Sequence, residues 1–434
     1  MLHVHFIWVA AEWVAMNERA RIERLLWRAG CGPRPGEVDE WTGRGESQLV
    51  EWLLSPEGDE LDGERPIIDG KPLDPANVGD HDILWWLDRF VRTRQPLAER
   101  MAFNWHDHFA VSNHSVGDAH VMLRYAGTLR RHSLGSVREL TLAMTHEPAM
   151  WMFLDLSGSH RDDPNENFAR ELFELFTLGA NNGYTEADIR EAARALTGFW
   201  WSYDERKGGW DPDAHDHGIK TIFGASGPFM PRDVANLAID NPAHAPMMCA
   251  KLWSYLSATD CPTDLLDAMV AEYRGSDTQL VPVLRLALSH EAFFAGDEPD
   301  QVKSPLLYLS GLLRGVGRPV DLPDWAWRLS EMGQVPFYPP NVSGWSSGDA
   351  WLSTATVRAR FQAAERVVRD LDLQTSGEPA AAVEAVRSAI GQPWASETTI
   401  DALVSFTSST TIPRPERLRV IAQCLLAGPD AQVA

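Results

Sequence analysis

The chain has 434 residues, of which 39 are Lys or Arg and 61 are Asp or Glu, giving a formal net charge of −22. Hydrophobic residues make up 44% and charged residues 23%, a globular composition that excludes a disordered chain, a collagen-like chain and a coiled-coil rod. The acidic balance argues against a nucleic-acid partner held by a general basic field, because phosphate binding needs clustered Lys and Arg.

The N-terminal residues 1–17 are predicted to be a loose leader or a mis-assigned start. Their longest apolar run ends at Glu12, and they lack the positive segment and longer apolar core of a signal peptide. A more natural opening begins at Met16. The sequence therefore favours a cytoplasmic protein, with export as the alternative. No run of about 18 apolar residues follows, so no membrane span is predicted.

Helical periodicity dominates the rest of the chain. It predicts an all-α protein with a single domain over 18–430, built as an irregular multi-helix body with few or no strands. Long loops rich in Trp, Pro and Gly interrupt the helices at 200–230 and 332–352. The best short strand candidate is 219–223, and a loop-rich acidic insertion is predicted at 37–82.

The negative charge is concentrated in this insertion. Residues 37–82 hold 14 acidic and 3 basic residues, whereas residues 83–138 hold 8 Arg and 4 acidic residues. One interpretation is a solvated insertion beside a helical segment. The other is an acidic arm that contacts a basic partner or folds over the neighbouring Arg-rich surface.

Two helices have well-defined starts. Asp163 is predicted as an N-cap with Pro164 at the first helical position, and Gly179 ends that helix. Thr185 repeats the pattern with Asp188 three residues later. The two helices are predicted to form a hairpin.

The first of these helices carries a polar face. Glu166, Asn167, Arg170, Glu171 and Glu174 lie on it at helical spacing. A carboxylate cluster held by Arg170 at the floor of a cleft would allow Glu171 or Glu174 to act as general base or metal ligand. Asn165 is the further catalytic candidate. The alternative is a solvated face with ion pairs four residues apart.

Two His-Asp-His triplets suggest a metal site. His106 and His108 belong to the first triplet, and His215 and Asp216 belong to the second. If the two segments meet in space, these four side chains would bind a divalent metal such as zinc or iron. The alternatives are buried or helix-end histidines in the first triplet and a polar loop in the second.

The chain contains 18 Trp, several of them in the predicted loops. Most are expected to anchor packing, with the indole N–H hydrogen bonded. A second interpretation is an aromatic platform for a sugar or another planar ligand. The rigid segment 332–345, which contains Pro-Pro and ends at Trp345, fits the rim of such a platform.

These motifs together resemble the bacterial family known as domain of unknown function 1800. The resemblance is carried by residues 25–33, 105–109, 165–179, 184–185, 195–198, 215–224, 303–305 and 333–345. It implies a predominantly helical protein without a settled activity, and it adds weight to the polar helix. Many members look exported, and their genes often neighbour those of the domain of unknown function 1501 family, which is therefore the suggested protein partner.

Two functions follow as hypotheses. The first is a hydrolase-like enzyme that uses metal-assisted or general acid–base chemistry on a polar substrate. The second is a binding or assembly protein that uses the acidic arm and the Trp-rich loops, or a carbohydrate-binding surface on those loops. A divalent metal is the one cofactor suggested.

Overall fold

The computed structural model describes residues 16–55, 58, 60–296, 298–374 and 377–434. Residues 1–15, which make up most of the predicted leader, lie outside the described residues. The described fold begins with Asn17, whose side chain accepts a hydrogen bond from the Ala20 N–H at 3.0 Å and starts the first helix.

The described residues form twenty-one α-helices, which confirms the predicted mainly α class. The first nine are α1 (Glu18–Arg28), α2 (Glu37–Arg44), α3 (Glu46–Leu54), α4 (His81–Arg92), α5 (Pro96–His108), α6 (Asn113–Val116), α7 (Ala119–Arg131), α8 (Val137–Thr145) and α9 (Pro148–Phe153). The next six are α10 (Asn167–Glu171), α11 (Glu186–Ala195), α12 (Pro231–Asp240), α13 (His244–Leu256), α14 (Thr263–Gly275) and α15 (Leu280–Ser289). The last six are α16 (Pro305–Gly315), α17 (Asp324–Met332), α18 (Thr354–Val368), α19 (Pro379–Ala389), α20 (Glu397–Ser409) and α21 (Arg414–Ala427).

The strands form three antiparallel two-stranded ribbons within the described ranges. These pair β1 (Ile67–Ile68) with β2 (Lys71–Pro72), β3 (Phe199–Ser202) with β4 (Lys207–Trp210), and β5 (Lys220–Ile222) with β6 (Ala225–Gly227). Strand β5 confirms the short strand predicted at 219–223. The loop predicted at 200–230 therefore contains two hairpins. The segment 332–352 is irregular apart from Met332, which is the last residue of α17, and a short 3₁₀ turn at Gly348–Trp351.

The predicted helix ends are right in one case and shifted in the other. Thr185 and Asp188 form the predicted capping box. The preceding helix does not begin at Asp163, because the Asn165 side chain accepts a hydrogen bond from the Asn167 N–H at 2.8 Å and delays the start to Asn167. Gly179, with φ of 91°, ends that helical segment as predicted.

The acidic insertion 37–82 is less loop-rich than its composition suggests, because α2 and α3 occupy its first part. Two acids of its later part, Glu60 and Asp62, bond to arginines of the Arg-rich segment. Glu60 accepts hydrogen bonds from Arg89 at 3.0 Å and Arg130 at 2.8 Å, and Asp62 accepts one from Arg94 at 2.8 Å.

One continuous hydrophobic core extends from α1 to α21. Helix α5 packs against α3, α4 and α7, while α4 also contacts α16 and α17. The apolar side chains of α5, such as Met101 and Trp105, are fully buried. Polar groups on such a central helix need partners, because burying them without hydrogen bonds costs about 1–3 kcal/mol each. No described helix has the length and apolarity needed to span a bilayer.

Candidate functional site

The predicted polar helix is partly exposed, and its arginine is occupied by other acids. Arg170 donates hydrogen bonds to Glu186 of α11 at 2.8 and 2.9 Å and to Glu166 at 3.2 Å. Neither Glu171 nor Glu174 receives a hydrogen bond from it. Burial, followed by the like charge of Glu174, raises the pKa of Glu171. The two carboxylates are neighbours, but Arg170 does not hold them together.

After α10 the helix widens into a π-helical turn over Leu172–Thr177. The two carbonyls at its end accept hydrogen bonds from buried imidazoles. His108 Nε2 donates to the Phe176 carbonyl at 3.0 Å, and His244 Nδ1 donates to the Thr177 carbonyl at 2.8 Å. Because the last carbonyls of a helix have no partner inside it, these histidines cap the end of the polar helix.

Both capping histidines are neutral. Burial lowers the pKa of His108 to about 3 and that of His244 to about 4. His244 Nε2 accepts from the Tyr273 hydroxyl at 2.8 Å, whereas His108 Nδ1 is buried without a partner. His108 therefore has a structural role that its position in a triplet did not indicate, and sequence reasoning did not single out His244.

His106 is also held by hydrogen bonds on both ring nitrogens. Its Nδ1 donates to the Tyr125 oxygen at 3.0 Å, since the Tyr125 hydroxyl itself donates to the Phe109 carbonyl. Its Nε2 accepts from the Phe337 N–H at 3.0 Å. The ring stacks on Trp86, and burial lowers the pKa of His106 to about 3. This imidazole fixes the irregular 332–352 segment on α5.

The second triplet anchors its own loop. His215 Nδ1 donates to the Thr197 carbonyl at 3.0 Å, and Asp216 accepts from Arg194 of α11 at 2.7 Å. The ligands predicted from the first triplet thus bond to different partners from those of the second triplet, which share Thr197. In the described ranges, no group of three or more His, Cys, Asp or Glu is arranged to hold a metal ion.

A large cleft instead lies along the face of α5 that carries Arg100, Asn104 and Asp107. Its empty space, part of which is open solvent, is about 1520 Å³. These three positions are spaced by four and three residues, so they share one helix face. The facing walls come from α13, from 300–304 and from the 332–352 segment. Several segments that carry the family resemblance therefore meet at one cleft.

The carboxyl group of Asp107 is held from two sides. Its Oδ1 accepts from the Trp345 N–H at 2.8 Å, and the Tyr255 hydroxyl lies 3.4 Å from its Oδ2. Burial raises the pKa of Asp107, although these hydrogen bonds oppose the shift. Gly344 allows the close approach, because its φ is 82° and an added Cβ would lie 2.3 Å from Asp107 Oδ1.

Arg100 is the most unusual group in the cleft. It is only 8% exposed, and its Nη1 is buried without a hydrogen-bond partner. No carboxylate of the described residues lies within ion-pair distance of it, and burial lowers its pKa to about 10. Gln301, on the facing wall, also has a buried Oε1 without a partner. Buried charges are normally paired, so this guanidinium is suited to an anion that enters the cleft.

Sequence reasoning chose the histidines of the 105–109 motif and passed over its neighbours. Arg100, Asn104 and Asp107 recur at four- and three-residue spacing along one face of the helix, and that signal was present in the sequence. Their convergence with Trp345 and Gln301 was not readable, since more than 190 residues separate the two parts of the chain.

One of the comparisons with known proteins gives a match. The chain matches, over residues 24–433, the family described as protein of unknown function (DUF1800). Searches of curated proteins and of solved structures each gave no match. Because the match spans nearly the whole sequence, the chain belongs to the DUF1800 family of proteins of unknown function.

Proposed function

We propose that the protein is a hydrolase-like general acid–base enzyme whose active site is the α5 cleft. Arg100 binds an anionic group of a polar substrate, and Asp107 exchanges the proton with the reacting group. The observation that carries this proposal is the buried guanidinium of Arg100, which has no carboxylate partner among the described residues and lines a large cleft.

Asp107 is suited to proton transfer for two reasons. Its raised pKa brings it closer to the pH at which an acid both holds and releases a proton. Its orientation is fixed by the Trp345 N–H, so one carboxyl oxygen is held while the other lies near the Tyr255 hydroxyl. Burial raises the pKa of Tyr255, which keeps that hydroxyl protonated as a donor.

The spacing of Arg100 and Asp107 along α5 sets the distance that a substrate must span. Arg100 and Asp107 are seven residues apart, which places their Cα atoms about 10 Å apart along the helix axis. Asn104 lies between them and presents an amide to the same face. The stacked rings of Phe103 and Trp345, with centroids 5.3 Å apart, form an apolar wall. A substrate with an anionic end and a neutral reacting bond would span this distance.

The first test measures anion binding. Titration calorimetry with succinate, citrate and inorganic phosphate should detect binding of at least one of them to the wild-type protein. Arg100→Met should abolish that binding, while Arg124→Met on the exposed face of α7 should preserve it. Equal binding by wild type and Arg100→Met would refute the role of Arg100.

The second test measures turnover. A panel of 4-nitrophenyl esters, including the hemisuccinate, the phosphate and the sulfate, should contain a substrate. Asp107→Asn should lower kcat at least about 100-fold, and Arg100→Met should raise KM. Hydrolysis that neither substitution affects would show that another part of the protein carries the chemistry.

The polar helix is a second candidate for acid–base chemistry. The observation in its favour is the raised pKa of Glu171 beside Glu174. Asn165 and Arg170 would then orient the helix start and its neighbouring acids. Glu171→Gln, assayed on the same ester panel, separates the two candidates, since loss of turnover there with normal turnover in Asp107→Asn would favour the polar helix.

The non-enzymatic alternative rests on the acidic arm and the Trp-rich loops. Part of the arm is already neutralised by Arg89, Arg94 and Arg130. Trp345 and Trp351 line the α5 cleft, so those rings are suited to a small ligand more than to a flat partner surface. A protein of the domain of unknown function 1501 family is the partner to test by pull-down.

A further inference from the structure

A second cavity, separate from the α5 cleft, lies between α1, α16 and α21. Its empty space, part of which is open solvent, is about 820 Å³. Its walls are mainly apolar and include Trp27, Leu312, Ile390, Trp394, Leu425 and Leu426. Residues 301–304 form the partition between the two cavities, since Ser304 lines the α5 cleft while Lys303 lines this one.

Lys303 is the one lysine that lines this cavity in the described part of the chain. The side chain is 7% exposed, and its Nζ donates to the Ala431 carbonyl at 3.1 Å. The same Nζ lies 3.8 Å from the centre of a Trp27 ring. No described carboxylate forms an ion pair with it, and burial lowers the pKa of Lys303 to about 7. A large part of this amine is therefore neutral near pH 7.

Glu23 provides the acid beside this amine. Its carboxyl group lines the cavity, accepts a hydrogen bond from the Trp394 N–H at 3.1 Å, and acts on Lys303 electrostatically. Burial raises the pKa of Glu23, which favours its protonated form. Arg360 faces Lys303 from α18, Arg19 and Arg387 face Glu23, and Arg24 and Asp430 also line the cavity.

Two other features support a built site. Gly311 and Gly32 lie against the Trp27 ring, and an added Cβ at Gly311 would come within 2.3 Å of it. The ring is thus held flat against the floor of the cavity, over the amine. An unpaired lysine in an apolar cavity beside a carboxylic acid is the arrangement that activates an amine as a nucleophile.

We propose that Lys303 forms a Schiff base with an apolar aldehyde or ketone bound in this cavity, with Glu23 as its acid. The neutral Nζ attacks the carbonyl carbon, and one of its two protons passes to the carbonyl oxygen, which becomes the hydroxyl of a carbinolamine. Glu23 donates a proton to that hydroxyl, which leaves as water while the C=N bond forms, and the proton lost from nitrogen returns to Glu23. One amine and one carbonyl give one imine and one water, with no oxidant or reductant.

The test is reductive trapping of the full-length protein with benzaldehyde and sodium cyanoborohydride at pH 7, followed by peptide mass mapping of its five lysines. Benzylation of Lys303 should be at least about tenfold faster than that of exposed Lys71, because far more of its amine is neutral. Benzyl alcohol should slow the reaction at Lys303 and leave Lys71 unaffected. Modification that follows exposure, with Lys303 unmodified, would overturn the proposal.

Two variants keep the test interpretable. Glu23→Gln should slow trapping at Lys303 about tenfold and leave Lys71 unchanged, whereas an unchanged rate at Lys303 would remove Glu23 from the mechanism. Lys220 is the matched control, since it is also buried and bonds two carbonyls but does not line this cavity. It should remain unmodified, and benzylation of Lys220 as fast as Lys303 would show that burial alone explains the reactivity.

Discussion

Arg170 on the polar helix and Arg100 on α5 each lie among polar residues, but their surroundings are opposite. Arg170 on α10 lies at the surface and is hydrogen bonded to Glu186 and Glu166. Arg100 on α5 is buried, lines a large cleft and has no carboxylate partner among the described residues. The sequence draws attention to the first, because its acids are close along the chain.

This contrast shows that many polar residues close together in the sequence do not by themselves leave a charged group free to bind a ligand. Ion pairs four residues apart satisfy charges locally, and they contribute little because water competes with them. A buried guanidinium without a partner destabilises the folded state, so its presence favours a role in binding a ligand over a role in folding. In this protein the unpaired guanidinium lies in the α5 cleft, whereas the arginine of the polar helix is paired with Glu186 and Glu166.

The largest effect is expected from Gly344→Ala, which should displace the 332–352 segment from α5. An added Cβ would meet Asp107 Oδ1 at 2.3 Å, at a residue whose φ of 82° already disfavours side chains. We expect the free energy of unfolding to fall by about 3 kcal/mol or more in urea titrations. Gly224→Ala is the matched control, because its φ is 81° and nothing lies within 4 Å of an added Cβ. Equal losses in the two variants would mean that backbone strain alone acts.

The next effect concerns the imidazole of His108, which links α5 to the end of the polar helix. His108 binds no proton in the folded state until the pH approaches its pKa of about 3, but the unfolded chain binds one below about 6.5. Stability contributed by the neutral ring is therefore complete above pH 6.5 and is lost as the pH falls from there.

His108→Gln keeps a donor for the Phe176 carbonyl and removes this titration. The slope of unfolding free energy against pH should decrease by about 1.4 kcal/mol per pH unit between about pH 6 and 4. Denaturant titrations at several pH values measure this slope. An unaltered slope in His108→Gln would show that the folded protein protonates this histidine.

Much of the fold was readable from local patterns. Apolar spacing gave most of the helices, and the capping box at Thr185 and the strand at 219–223 were confirmed. Helix α2 was missed, since its short acidic sequence between Gly36 and Gly45 resembles a loop. The start at Asp163 was wrong because a nearby side chain, Asn165, competed for the first free N–H groups.

The site was harder to predict for a physical reason. Sequence spacing shows which side chains share a helix face, and it would have grouped Arg100 with Asp107. It does not show that Arg100 lacks a partner, because that depends on the positions of all other carboxylates. It also does not show that His106 is used on both ring nitrogens, since one of its partners is the distant Phe337.

A smaller effect should distinguish the two arginines by sign. Arg100→Met removes an unpaired buried charge from an apolar setting, so the thermal midpoint should rise by about 1–3 °C without ligand. Arg170→Met breaks exposed ion pairs, so its midpoint should fall by less than about 2 °C. Scanning calorimetry in low-salt buffer compares them. If Arg100→Met is the more destabilised variant, Arg100 has a structural partner and the contrast between the helices fails.

The smallest expected effect tests why the pKa values of Glu171 and Asp107 are raised. Glu174→Gln should lower the pKa of Glu171, because the like charge of Glu174 is one of its causes, but burial should keep that pKa above its usual range. Asp107 has no carboxylate among the causes of its shift, so the same substitution should leave its pKa unchanged. Carboxyl-carbon NMR titration of the wild-type protein and of Glu174→Gln measures these values. A fall in the pKa of Asp107 would mean that the charge of Glu174 acts on the cleft, and that burial does not control the pKa of Asp107.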